Sequence, residues 1–202
     1  CSSDLPALML QVGPELALQV RDRLPQVVLS LVEDMSHVLV EALGRGDIDL
    51  ALAFDVPAHA DLARTALFED DLVLVTPPDA ARSASVPFED VIESPLVLPE
   101  AGDTVRDLVV RTAQGLGITP RIDFEVRSIA AIKRMIGRGV ANGVLPFASV
   151  VEEVRSGVLA ARPIVSPALT RTLYVAASTR RASFRNELAL VGTIRSTLAS
   201  LV

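Results

Sequence analysis

Residues 25–57 read PQVVLSLVEDMSHVLVEALGRGDIDLALAFDVP, and the reading of this stretch decides the fold. Val27, Leu29 and Leu31 alternate with Val28, Ser30 and Val32, and β-branched residues dominate, which predicts a strand. Ser36 stands where a helix N-cap belongs, just before Leu39, Val40 and Leu43 recur at helical spacing. Gly46 supplies the stop. Ile48 to Phe54 is apolar apart from Asp49, the pattern of a strand covered on both faces. Strand, helix and strand in this order predict two parallel strands with a right-handed crossover. In such sheets ligands bind beyond the carboxyl ends of the strands, here Glu33 to Ser36 and Phe54 to Pro57.

The rest of the chain extends this pattern. Residues 1–24 read as helix, interrupted at Gly13-Pro14, with Leu16, Val20 and Leu24 on one face. Residues 57–66 read as a loop and Leu72 to Val75 as a strand, with the acidic run Glu69-Asp70-Asp71 as a solvated turn before it. A second α/β block follows a small, polar stretch at 79–90. It has strands at Leu96–Leu98, Arg121–Val126 and Gly143–Leu145. It has helices opened by Asp103 or Thr104 and by Ser128, and a helical stretch from Phe147 to Arg155. Arg171 to Ala177 is a further strand, and Ser183 caps a last helix. The chain divides into a first lobe, 1–76 with 170–202, and a second lobe, 77–169. The fold class is α/β, two lobes with a cleft between them.

Bulk properties narrow the function. The chain has 202 residues, half of them hydrophobic, with mean hydropathy +0.43, so a packed core is expected rather than disorder. No apolar run reaches the roughly 18 residues a membrane span needs. Net charge −6 and pI near 5.0 argue against this chain gripping a phosphate backbone. Cys1 is the single cysteine, which excludes an internal disulfide and a multi-cysteine zinc site. His37 and His59 lack metal-ligand spacing, and no nucleophile elbow or phosphate loop occurs. No cofactor, metal or catalytic residue is expected.

A recurring device remains. Ser36, Thr104 and Ser128 each follow a predicted strand and open a helix, and Ser2 or Ser3 would do the same after a preceding strand. Each places backbone N–H groups and a positive helix end at one sheet edge. Together they suit a small anion. Arg106, in the first turn after Thr104, adds a bidentate partner for a carboxylate.

The ordered motifs resemble one family. LPQVVLSLVEDMSHVLVEALGRGDIDLALAFD, LFEDDLVLVTPPD, SPLVLPEAGDTVRDLVV and FEVRSIAAIKRMIGRGVANGVLPFASV are similar, in order, to the effector-binding domain of LysR-type transcriptional regulators. The resemblance covers essentially the whole chain. It implies a two-lobe, periplasmic-binding-protein-like (type II) fold of two Rossmann-like lobes. It implies a small-molecule effector, an organic acid, held in the inter-lobe cleft by Ser2, Ser3, Met35, Ser36, Asp55, Pro99, Glu100, Thr104, Arg106, Ser128, Ile129, Val144 and Phe147. It further implies a homodimer or homotetramer through helices of both lobes, a cytoplasmic location, and DNA contact only through an N-terminal helix-turn-helix outside these residues. That domain, and an opening strand before Cys1, are expected to be missing from this chain. Two alternatives share the fold: a solute-binding protein of a transporter, and an enzyme such as a dehydratase with Glu100 facing the cleft.

Overall fold

The computed structural model describes residues 4–80 and 83–200. In chain order its elements are α1 (Asp4–Arg23), α2 (Ser36–Arg45), β1 (Ala51–Phe54), β2 (Leu62–Thr76), β3 (Val86–Pro87), α3 (Phe88–Glu93), β4 (Leu96–Leu98) and α4 (Thr104–Gly115). Then come β5 (Ile122–Glu125), α5 (Ile129–Gly137), β6 (Asn142–Pro146), α6 (Val151–Arg155), β7 (Ala160–Val165), β8 (Thr170–Ser178) and α7 (Glu187–Ala199). Backbone contacts divide the chain into two units, Phe68–Thr172 and Leu5–Leu67 with Leu173–Val202. The chain passes from one to the other inside β2 and again inside β8.

The unit of residues 68–172 is built on a mixed sheet. β4 pairs in parallel with both β5 and β6, β2 runs antiparallel to β6 and β7, and β3 pairs in parallel with β7. Alternation along β2 sorts its side chains to the two faces, as strand geometry requires. Leu72 and Leu74 join Leu96, Leu98, Phe88, Val105 and Val109 in one buried cluster. Val73 and Val75 join Val97, Leu145, Ile132 and Ile136 in another. Both faces are therefore covered, and each fully buried Leu, Ile or Phe contributes on the order of 1.5–3 kcal/mol. α5 lies close against β6: a Cβ added to Gly143 would sit 2.6 Å from Ile136 Cδ1. A glycine at this position is what allows the approach.

In the other unit, β1 pairs antiparallel with β8, which also neighbours β2. α1 buries Val12, Leu16 and Val20, α2 buries Leu39 and Leu43, and α7 buries Leu190, Ile194 and Leu198. Ser196 of α7 donates to Gln19 Oε1 of α1 at 3.4 Å. Gly46, at φ 80°, ends α2 by donating its N–H to Leu43 O, as its position in the sequence predicts.

Several expectations are corrected. Residues 27–32 belong to no strand, so the parallel strand–helix–strand unit does not form; β1 finds its partner in β8 instead. The alternation is real, with Val27 and Leu29 half-buried and Val28 exposed, but no ladder partner for the segment exists among the described residues. α1 runs through Pro14 without a break, because the buried stripe of Val12, Leu16 and Val20 outweighs one lost backbone hydrogen bond. β2 begins at Leu62, so the acidic run lies inside a strand, not in a turn. The last helix starts at Glu187 with Asn186 at its N-cap, not at Ser183.

Candidate functional site

In the unit of residues 68–172 the pairing gathers the functional candidates at one edge. Since β4, β5 and β6 are mutually parallel, their carboxyl ends face the same way. Pro99 and Glu100 follow β4, Arg127 and Ser128 follow β5, and Phe147 follows β6. The antiparallel strand β2 brings Asp70 and Asp71 to the same edge, since Leu72 is opposite Pro146. Leu169 O accepts from Leu72 N at 2.9 Å, which adds Thr170 and Arg171.

Of the two N-cap candidates for α4, Asp103 and Thr104, the structure selects Asp103, and α5 is capped by Ser128 as the sequence predicts. Asp103, almost fully buried, is the N-cap of α4, its Oδ1 accepting from Val105 N at 2.9 Å. Thr104 is the first helical residue. Its Oγ1 accepts from Arg171 Nη1 at 3.1 Å. A guanidinium can only donate, so the Thr104 O–H keeps its own hydrogen to give. Ser128 does cap α5, its Oγ accepting from Ala131 N at 3.3 Å, and it too retains a hydroxyl hydrogen.

Three arginines stand at this edge, each against a carboxylate. Arg171 is fully buried, and its Nε and Nη2 donate to Asp70 Oδ2 at 2.9 and 2.7 Å. Arg106 pairs with Glu125 at 2.8 Å and donates to Pro99 O at 3.4 Å. Glu125 raises the Arg106 guanidinium above its ordinary range, and Arg106 in turn holds the Glu125 carboxyl below the usual carboxylate range. Arg127 Nε donates to Glu100 Oε2 at 2.6 Å, which likewise raises its pKa. The other Glu100 oxygen, Oε1, is buried with no hydrogen-bond partner.

Of the residues implied by resemblance, Pro99, Glu100, Thr104, Arg106, Ser128, Ile129 and Phe147 all lie on or just behind this edge. Val144 does not: it is fully buried in the core with Leu72 and Leu74, which removes its side chain from the edge. Arg106 is engaged by Glu125 and is not an open carboxylate clamp. Ser2 and Ser3 lie outside the described residues. In the other unit, Met35, not Ser36, occupies the N-cap of α2, and Ser36 is the first helical residue. Ser36 is buried and its Oγ accepts from Phe54 N at 3.0 Å, pinning the start of α2 to the end of β1. Asp55 follows at φ 49°, a left-handed conformation that Asp tolerates better than most residues.

Asp70 and Arg171 are functional candidates that the sequence reading passed over. A signal was present. In Leu169-Thr170-Arg171-Thr172-Leu173, period-two alternation puts Arg171 on the face of two leucines that are 1% and 0% exposed. An arginine on a buried face requires a carboxylate partner, and the acidic run at 69–71 supplies one.

Known proteins agree with this architecture. The chain is 27% identical over 177 residues to the HTH-type transcriptional regulator BbuR of Bordetella bronchiseptica, covering 87% of this chain and 54% of the relative. It thus spans little more than half of that relative's length. Among solved structures it is similar to the CcmR regulatory domain of Synechocystis PCC6803 in complex with 2-PG, with TM-score 0.81, 19% identity and coverage of 93% of this chain and 91% of that one. It is also similar to the effector binding domain of QuiR in complex with shikimate, with TM-score 0.76, 16% identity and coverage of 91% and 88%. The LysR substrate binding domain model matches residues 5–199. With that model matched along nearly its whole length, the chain belongs to the LysR substrate binding domain family.

Proposed function

We propose that this chain is the sensing part of a LysR-type transcriptional regulator and that it binds a small organic acid at the strand-end edge of the unit 68–172. The observation that carries the reading is the convergence of three parallel strand ends with two helix starts, at which Thr104 and Ser128 each keep a hydroxyl hydrogen to donate. Such an edge suits a small polar ligand. The bound shikimate and 2-PG of the structural relatives support the same ligand size. The ligand acts by differential affinity for two conformations, which changes how a DNA-binding domain outside these residues engages its operator. The protein works as a homodimer or homotetramer in the cytoplasm, and this part of it binds without catalysing. The transcription regulator among its relatives favours this reading over a transporter's solute-binding protein. No helix among the described residues is long and apolar enough to cross a membrane.

A thermal-shift panel of aliphatic, aromatic and hydroxylated acids tests the reading, because a ligand that binds the folded state raises apparent stability by mass action. The expected result is a saturable rise in Tm with at least one acid, lost in Thr104→Val. A panel in which only cationic ligands raise Tm would overturn it.

A further inference from the structure

The strand-end edge is rich in guanidinium groups, yet its electrostatic character is not cationic. Arg171 is held by Asp70, Arg106 by Glu125 and Arg127 by Glu100. Lys133, just inside α5, is held by Glu153 and donates to Ser149 O at 3.0 Å. Asp71, Asp103 and Asp107 add further negative charge, Asp71 accepting from Thr170 Oγ1 at 2.9 Å and Asp107 from Gly102 N at 3.3 Å. The hydroxyl hydrogens of Thr104 and Ser128 are neutral donors at this edge.

Among the described residues each of these cations already faces a carboxylate, and a multiply charged anion must compete with it. To recruit Arg106 or Arg127 it must displace a carboxylate that then stays nearby as a like charge. A ligand with one carboxylate meets hydroxyl donors without that repulsion being doubled.

Resting on the sensing function above, we propose that Glu100 and Glu125 are specificity-determining residues: by neutralising Arg127 and Arg106 they restrict the site to ligands of a single negative charge and exclude phosphate and other multiply charged anions. Removing either carboxylate's charge frees a guanidinium and converts the edge into a phosphate site. The change of class follows from charge-assisted pairing, which is markedly stronger than pairing with a neutral donor.

The test is titration of the whole chain with inorganic phosphate, read by thermal shift and by isothermal calorimetry at low and at moderate salt. Wild type, Glu125→Gln, Glu100→Gln and the control Glu152→Gln are compared. Glu152 pairs with Arg155 within α6, both side chains exposed, and neither contacts Arg106 or Arg127 in an ion pair. Glu125 is half-exposed, so its variant retains the fold, and melting without phosphate reads any loss of stability separately. The expected result is no saturable phosphate binding by wild type or by the control. Both edge variants are expected to bind phosphate about tenfold or more tightly, with an affinity that falls as salt rises. Saturable binding by wild type overturns the assignment, as do edge variants no different from wild type or a control that gains as much as they do. A wild-type chain silent toward every acid, beside edge variants that gain phosphate binding, would keep the charge assignment and remove the sensing function.

Discussion

The two units solve the burial problem differently. In residues 68–172 every strand of the central sheet is paired on at least one side and both faces are covered by helices. In the unit of 5–67 with 173–202, α1, α2 and α7 each bury apolar residues and β1 pairs with β8, while the segment 27–32 stands apart from any ladder among the described residues. There Val28 is 96% exposed and Val32 59%. Leu31 leans toward α1, its Cδ1 3.9 Å from where a Cβ on Gly13 would lie. The contrast teaches that alternation records which side of a chain faces apolar surface, whereas a strand also needs a neighbour for its backbone groups.

The largest test of this contrast is at the buried ion pair. Asp70→Ala leaves the Arg171 charge buried without its carboxylate, and it is expected to cost about 3–5 kcal/mol in urea unfolding. A cost under about 1 kcal/mol would mean that Arg171 is hydrated or otherwise compensated, and that the edge is looser than described. Next in size is a pair of truncations. Ile132→Ala, in the closed core, is expected to cost about 2–5 kcal/mol, whereas Val28→Ala, on the exposed segment, changes stability by less than about 0.5 kcal/mol. Similar costs for both would show that residues 27–32 are packed, and the comparison would fail.

These costs bear on how much of the molecule could be read from its sequence. Leu96–Leu98, β6 with its Gly143, and the Ser128 cap were legible because each is a local pattern: a short apolar run, a turn signal, a serine before a periodic helix. Residues 27–32 carried the strongest strand pattern in the chain and form no strand, because pairing is set by distant residues. The carboxylate partners of the edge were not legible for the same reason. Arg106 and Glu125 are brought together by the parallel pairing of β4 with β5, which no spacing within either segment encodes. Arg171 falls between: its burial follows from the alternation, but its partner 101 residues away does not.

Smaller effects sharpen the account. Ser36→Ala removes the hydroxyl that accepts from buried Phe54 N, and a loss of about 0.5–1.5 kcal/mol is expected from that lost hydrogen bond. Ser36→Thr should recover part of it if there is room for the extra methyl. Smallest is the pH response at Glu125. Its folded-state pKa is depressed by Arg106, so its contribution is present above the unfolded-state value and disappears as pH falls through the folded one. Glu125→Gln should therefore flatten the acid limb of a Tm-against-pH curve at and below the ordinary carboxylate range and leave the neutral region nearly unchanged. An unchanged acid limb would show that the Arg106–Glu125 pair does not persist in solution.

The most direct test of the central claim is an amide chemical-shift titration with the acid panel. The account predicts that the acid which raises Tm moves the resonances of residues 100–106 and 127–131 saturably, with one common affinity, and leaves those of 27–32 in place. Saturable shifts confined to other parts of the chain, with residues 100–106 and 127–131 unmoved by every acid, would contradict it.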